Sequence, residues 1–368
     1  MDERSPLEVE IRRRITAAGP MPVGEYMALC LGDATHGYYM TRDPLGARGD
    51  FITAPEISQM FGELIGLWMA AVWKQMGAPE NIRIIELGPG RGTMMKDALR
   101  AVVQVAPAFR DALAVHLIEI SPVLRAQQER TLNDLTKQVL WHAALDDVPK
   151  GPAIIVANEF FDALPVNQAV KIERGWHERQ IEIDSVGNLA FTVARDPLPH
   201  FEMLLPPAAR EAPEQSIFEW RADTVAMDMG RRIADEGGAA LVIDYGHAKS
   251  AIGETLQAVG QHAYTDPLTA PGGIDLTAHV DFQALARAVE AMGANGFAPV
   301  EQSQFLHRLG IETRAAALKA KASSRAAAAD IDSALARLIG HGRTGMGMLF
   351  KVAAFAHPSV GALPGFES

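Results

Sequence analysis

Three glycines at alternate positions, Gly88, Gly90 and Gly92, follow an acidic residue, Glu86, in the stretch ELGPGRG. Glycine tolerates positive φ and, having no Cβ, lets a ligand press against the backbone. The dinucleotide fingerprint G-x-G-x-x-G is not met, because Thr93 stands where its last glycine belongs, and the lysine of a phosphate-cradling loop is missing as well. A pyrophosphate would need the next helix N-terminus clear for an anion. A carboxylate just ahead of the glycines suits a ligand that carries positive charge instead. Glu119 ends the apolar run AVHLIE, the place where open α/β sheets put a carboxylate for ribose hydroxyls. Asn158, Glu159 and Asp162 follow the run AIIVA, and Asp244 ends LVID in a stretch that continues to Tyr245 and His247.

Each of these groups sits at the end of a short apolar run, and the runs set the fold. Segments 82–87, 114–119, 153–157 and 239–244 read as strands buried on both faces. Helices are expected between them at about 93–105, 121–135 and 218–236, so the alternation predicts a parallel sheet covered on both sides. Ligands in such sheets bind at the carboxyl ends of the strands. Upstream, Leu7, Ile11 and Ile15 mark one helix, 23–31 a second, and a long one starts near Pro55. After Asp244 come an irregular segment (246–278), a helix at 281–293, a strand at 298–303, two alanine-rich helices within 311–340 and a last strand at 348–356. Residues 168–194 alternate with period 2 around turns at Arg174-Gly175 and Gly187-Asn188, which predicts a β-hairpin insertion of two or three strands. The expected division is an N-terminal helical section (1–80) with a covering loop at 43–59, a first sheet half (81–167), the insertion (168–217), a second sheet half (218–357) and a tail (358–368).

The glycine loop is similar to the first motif of class I S-adenosylmethionine-dependent methyltransferases, whose cofactor bears a sulfonium and an ammonium but no phosphate. That resemblance implies S-adenosyl-L-methionine as cofactor, with Glu86, Gly88, Gly90, Gly92 and Glu119 around it. It also places WHAALDDVP, with Leu145, on the adenine side and Asn158 near the ammonium. More specifically, GDFITAPEISQMFGELIG (49–66), ELGPGRGTMMKDALR (86–100), ANEFFDALPV (157–166) and DPLTAPGGIDLTAHVDF (266–282) resemble the MidA-like family of complex I assembly-factor arginine methyltransferases. The family implies a Rossmann-like doubly wound sheet of order 3-2-1-4-5-7-6 with the seventh strand antiparallel. It implies methyl transfer to arginine ω-nitrogens of a protein substrate, a complex I subunit in mitochondrial members. Glu159 and Asp162 are then the expected guanidinium clamp, with Asp244 a further catalytic candidate. Asp50, Thr53, Pro55 and Gln59 belong to a lid over the cofactor. The same stretch also reads simply as a helix start, with Thr53 and Glu56 forming a capping box. His36, Tyr38 and Tyr39 line a pocket or merely pack; His247 and His279 stand near the expected cleft, and Asp281 reads best as a helix cap.

Composition bounds the alternatives. The 368 residues are 48% hydrophobic and 21% charged, ordinary for a globular chain. The single cysteine, Cys30, cannot form an internal disulfide, which suggests a reducing compartment, the cytoplasm for a bacterial-type chain and the mitochondrial matrix for eukaryotic relatives. The charged N-terminus does not read as a signal peptide. The longest apolar run, 64–73, is about half of the ~20 residues that span a bilayer, so no membrane insertion is expected. The Gly62/Gly66 spacing therefore reads as close helix packing. A net charge of −11 is the wrong sign for following a nucleic-acid backbone. Histidine spacing suggests no metal. A homodimer is compatible with this reading, and small-molecule methylation and a non-catalytic assembly chaperone are the rival functions.

Overall fold

The computed structural model describes residues 4–42, 53–133, 139–173, 175–260, 263–342 and 344–367. They fall into two compact units: a sheet unit (Ile52–Phe161, Asp223–Ala248, Phe282–Ser368) and a second unit (Met1–Phe51, Asp162–Ala222, Lys249–Asp281).

The sheet unit is built on strands β1 (Ile82–Leu87), β2 (Leu113–Ile118), β3 (Val139–His142), β4 (Ala153–Asn158), β5 (Gly238–His247), β6 (Asn295–Glu301) and β7 (Phe350–Ala356). Their order is β6-β7-β5-β4-β1-β2-β3. β3, β2, β1, β4 and β5 run parallel to one another, and β7 runs antiparallel to both β5 and β6. All six residues of β4 are buried, as are five of the six in β1, because helices cover both faces. The register sets Glu86 of β1 beside Val156 of β4, and Asn158 of β4 beside Ile243 of β5. Edge strand β3, only half-buried, was not among the strand candidates.

The helices of this unit include α1 (Gln59–Gln75), α2 (Thr93–Val105), α3 (Pro122–Leu132), α4 (Thr224–Glu236), α5 (Phe282–Glu290), α6 (Gln302–Arg308), α7 (Ile311–Lys319) and α8 (Arg325–Ile339), with a short helix Pro107–Ala112 between α2 and β2. The long helix expected from Pro55 is broken. A short turn, Ala54–Ile57, ends at Ser58, whose backbone is extended (φ −161°) and whose hydroxyl accepts from Met60 N–H at 3.2 Å to cap α1. Gly62 and Gly66 let α1 lie directly on α2: a Cβ on Gly66 would fall 2.5 Å from the Ala98 carbonyl oxygen. Among the described residues no helix is long and apolar enough to cross a membrane.

The second unit joins helices Pro6–Ala18 and Val23–Gly32 to a five-stranded sheet. Its strands run in the order Met21–Pro22, Gly175–Ile183, Val166–Ile172 and Ile217–Arg221, with Leu189–Pro197 also on Gly175–Ile183. The expected insertion of two or three strands is thus a larger sheet. Residues 217–221, expected to open a helix, form its edge because Phe218 packs inward with Trp176 and Phe201. The segment expected to be irregular holds a three-stranded sheet, Gln257–Gly260, Ala263–Thr265 and Asp275–Thr277. The N-terminal section also divides differently from the expected boundary at residue 80. Leu7, Ile11 and Ile15 share a core with Ile181 and Leu276, whereas Phe61, Leu64 and Trp68 join the core of the sheet unit.

Candidate active site

The turn after β1 carries Gly88, Gly90 and Gly92 at φ 62°, 52° and 80°, all in the left-handed region that L side chains resist. A Cβ on Gly88 would meet the Phe160 ring at 2.8 Å, so the loop passes flush against the turn after β4. Glu86, at the end of β1, is only 2% exposed, and burial pushes its carboxyl up to about 8. Its Oε2 has no hydrogen-bond partner among the described residues. The same holds for Oδ1 of Asn158, buried at the end of the neighbouring strand. Unpartnered buried acceptors are costly. Two of them on adjacent strand ends, beside a turn with three glycines at positive φ, form a cradle that a ligand with hydroxyl or ammonium donors completes.

Glu119 is already organised. Its Oε1 accepts from Ser121 N–H at 2.8 Å and its Oε2 from Gln128 Nε2 at 3.1 Å, while burial raises its pKa against those bonds. Gln128, absent from the residues expected at the site, is wholly buried on α3. Its Nε2 also donates to the Gly90 carbonyl at 2.7 Å, and its Oε1 accepts from Trp141 Nε1 at 2.8 Å. One amide therefore ties the glycine loop, Glu119 and β3 together. The signal for it was its spacing: Leu124, Gln128 and Leu132 recur every four residues on the buried face. Leu145 is buried in the turn Leu145–Asp147 after β3.

Asp50 lies outside the described residues, as does the whole stretch 43–52. Of the other residues expected in the lid, Thr53 precedes the turn Ala54–Ile57, Pro55 lies in its first residues and Gln59 opens α1. The capping box does not form, because the Thr53 side chain makes no cap bond. Glu56 turns instead to the glycine loop, its Oε1 accepting from Thr93 Oγ1 at 2.5 Å and its Oε2 lying 3.8 Å from Arg91 Nη1.

Glu159 follows β4 with φ 50°, a strained backbone for a residue with a side chain. Its Oε1 accepts from Ala54 N–H and from Asn158 Nδ2, both at 3.2 Å. What holds this turn is Asp244. Its carboxylate is fully buried and accepts from the backbone N–H groups of Phe160 (3.2 Å), Phe161 (3.0 Å) and Tyr245 (3.0 Å). Asp244 is the further catalytic candidate, and in this structure its Oδ2 accepts from Phe160 and Phe161 and its Oδ1 from Tyr245. His247, near it at the end of β5, is half-buried.

In the second unit Asp162 is buried, and its carbonyl accepts from Ala278 N–H at 3.1 Å. Arg221 links the same region, donating to the carbonyls of Leu164, Ala278 and His279. Tyr39 donates to Asp275 Oδ2 at 3.0 Å, and burial, with the charges of Asp275 and Asp162, drives its pKa far up. Tyr38 is buried edge-on to Tyr39, and the His36 N–H closes a turn on Asp33.

The mixed sheet, the flush glycine turn and the unpartnered acceptors at its strand ends define an α/β methyltransferase that uses S-adenosyl-L-methionine. The chain belongs to the MidA-like family of S-adenosyl-L-methionine-dependent methyltransferases, whose profile matches residues 64–300. It is 38% identical over 346 residues to the protein arginine methyltransferase NDUFAF7 homolog of Drosophila melanogaster, covering 86% of this chain and 77% of that one. Against the human mitochondrial protein arginine methyltransferase NDUFAF7 the identity is 37% over 333 residues, covering 84% and 74%. A Burkholderia thailandensis protein crystallised with S-adenosyl-homocysteine superposes with a TM-score of 0.84 at 29% identity, covering 98% of this chain and 94% of that one.

Proposed function

We propose that this methyltransferase modifies arginine ω-nitrogens of a protein substrate, with a respiratory complex I subunit the acceptor that the family resemblance implies. Supporting this, the relatives at 37–38% identity are named protein arginine methyltransferases. The observed strand order reads as 3-2-1-4-5-7-6 when strands are numbered along the chain, which favours the class I arrangement. The single buried cysteine, Cys30, suits a reducing compartment such as the cytoplasm.

When bound, S-adenosyl-L-methionine supplies an electrophilic methyl group on a sulfonium. Glu86, Asn158 and Glu119 would hold it through their strand-end acceptors, with Gly88, Gly90 and Gly92 giving the backbone approach. Leu145 would lie on the adenine side, and Thr53, Pro55 and Gln59 on the covering side. The chain's remaining task concerns the acceptor. A guanidinium with pKa above 12 has its lone pairs delocalised, so its nitrogen needs orienting more than deprotonating. Carboxylates do this through charge-assisted, bidentate bonds and also stabilise the cation that persists afterwards.

The observation that carries the proposal is Glu159, whose carboxylate is fixed at the end of β4 by a strained backbone that Asp244 anchors. We assign Glu159 and Asp162 as the guanidinium-gripping carboxylates. The test is turnover of Glu159→Gln and Asp162→Asn on labelled host lysate, with S-adenosyl-homocysteine affinity measured in parallel. Turnover should fall at least a hundredfold with affinity within threefold; full turnover in both variants removes the assignment. A lysate in which no protein takes up label removes the protein-substrate reading.

A further inference from the structure

A cleft of about 730 Å³ opens in the sheet unit away from the glycine loop, lined by Glu301, Ser303, His307, Arg308, His341 and Lys351 among others. It lies on the carboxyl edge of the same sheet. The ladder sets Glu301 beside Lys351 and Lys351 beside Asp244, the residue that anchors the Glu159 turn. In a chain of net charge −11, this cleft gathers two fixed cations and two imidazoles. Glu301 faces these cations, its charge acting on Lys351 and its Oε2 standing 4.0 Å from His341 Nε2, a nitrogen that contacts Ser303 Oγ at 3.0 Å. His307 Nδ1 lies 3.8 Å from Glu312 Oε2, so two carboxylates stand against two cations and two imidazoles. Arg308 spends Nη1 on the Gly365 carbonyl at 2.8 Å, leaving the rest of its donor fork for other partners. Burial pulls the Lys351 pKa below its usual value, an unfavourable setting for the cation that an added anion relieves.

We propose that this cleft binds acidic side chains of the polypeptide substrate, as an anion site separate from the methyl-transfer centre. The inference rests on the protein-substrate reading above. From β7 to β1 there are three strand spacings, roughly 14 Å at ~4.8 Å each. An extended chain covers that distance in about four residues at ~3.4 Å each. The preferred acceptor arginine is therefore followed or preceded by Asp or Glu some three to five residues away.

The first measurement is fluorescence anisotropy of a labelled hexaglutamate peptide on the full chain, in parent, Lys351→Gln and His341→Gln. Binding should weaken at least fivefold in Lys351→Gln, fall with added salt and stay unchanged in Glu159→Gln. Binding unaltered by Lys351→Gln and His341→Gln, or absent from the parent, overturns the proposal. So does displacement of the peptide by inorganic phosphate at equal or lower concentration, which would assign the cleft to a free anion. The second measurement is methyl transfer to arginine peptides carrying glutamate at varied distances. Lys351→Gln should raise KM severalfold with kcat unchanged, only for peptides with the acid three to five residues away. Absence of methylation on every arginine peptide, with hexaglutamate binding intact, counts against the arginine reading and leaves the anion site standing.

Discussion

Asp244 Oδ2 accepts the backbone N–H of Phe161 at 3.0 Å, and with it the Phe160 N–H at 3.2 Å, from a position with no solvent exposure. A residue at the end of β5 thereby dictates the backbone after β4, where Glu159 sits at φ 50°. Strain of this kind persists only where surrounding bonds over-determine it. Asp244→Ala should therefore cost about 2–4 kcal/mol, since it strands buried N–H donors and releases a strained turn. Asp244→Asn, which keeps an acceptor oxygen, should cost less. Urea unfolding checks both; a loss below ~0.5 kcal/mol in Asp244→Ala would show that the turn does not depend on this carboxylate.

The α1–α2 interface makes a second prediction. Gly66 faces Ala98 so closely that a Cβ would sit 2.5 Å from its carbonyl oxygen and 2.7 Å from its Cα, both backbone atoms that cannot swing away. Gly66→Ala should destabilise by about 1–3 kcal/mol despite alanine's better helix propensity. Gly62→Ala, meeting Asp97 Cβ and the Met94 carbonyl at 2.8 Å, should do the same. A thermal midpoint at or above the parent's would show that the helices can part without loss.

Strands β1, β2, β4 and β5 were legible because burial on both faces leaves an unbroken apolar run, and the polar groups at their ends stood out against it. Edge strand β3 has half-buried residues and no such contrast. Residues 217–221 misled because five residues leading into a helix carry too little period to separate strand from helix. The second unit was illegible for another reason: it draws three separate segments of chain into one core, and local pattern says nothing of such long-range closure. The site divides similarly. Glu86 and Asn158 could be read from strand ends, but Asp244 looks the same in sequence whether it meets a ligand or a backbone N–H. Gln128 passes for a surface residue unless its place on the Leu124–Leu132 stripe is noticed.

The His116–His142 pair sets a pH limit on the sheet unit. His116 Nδ1 and His142 Nε2 lie 2.9 Å apart, and burial, then the neighbouring His142, pushes His116 down to about 4. In the unfolded chain its pKa returns to about 6.5. Between those values the unfolded state binds the extra proton, so stability is intact above pH ~6.5 and is lost as pH falls toward 4. The parent should lose about 1–2 kcal/mol from this group between pH 7 and pH 5. His116→Gln should lose correspondingly less over that interval, as measured by urea unfolding at the two pH values. Equal losses in parent and variant would remove His116 as the source.

Glu86 should set stability and cofactor binding against each other. Its carboxyl, buried without a counter-charge, titrates at about 8 in the folded chain against an ordinary value of 4.5. Between pH 4.5 and 8 the unfolded chain is ionised there and the folded one is protonated, so folded stability falls as pH rises through that window. Glu86→Gln removes the penalty. At pH 9 the variant should be more stable than the parent by ~1–3 kcal/mol, and the advantage should vanish near pH 4. Cofactor binding moves the other way, because the anion that is costly in the free protein is the form that receives a cationic, hydroxyl-bearing ligand. Affinity for S-adenosyl-L-methionine should therefore rise from pH 6 to 8 and level off above it. Calorimetry at pH 7 in two buffers of different ionisation enthalpy should show nearly one proton released per cofactor bound. In Glu86→Gln that release should disappear and affinity should drop about tenfold or more. A variant that binds as tightly as the parent, with the same proton release, would place the titrating group elsewhere.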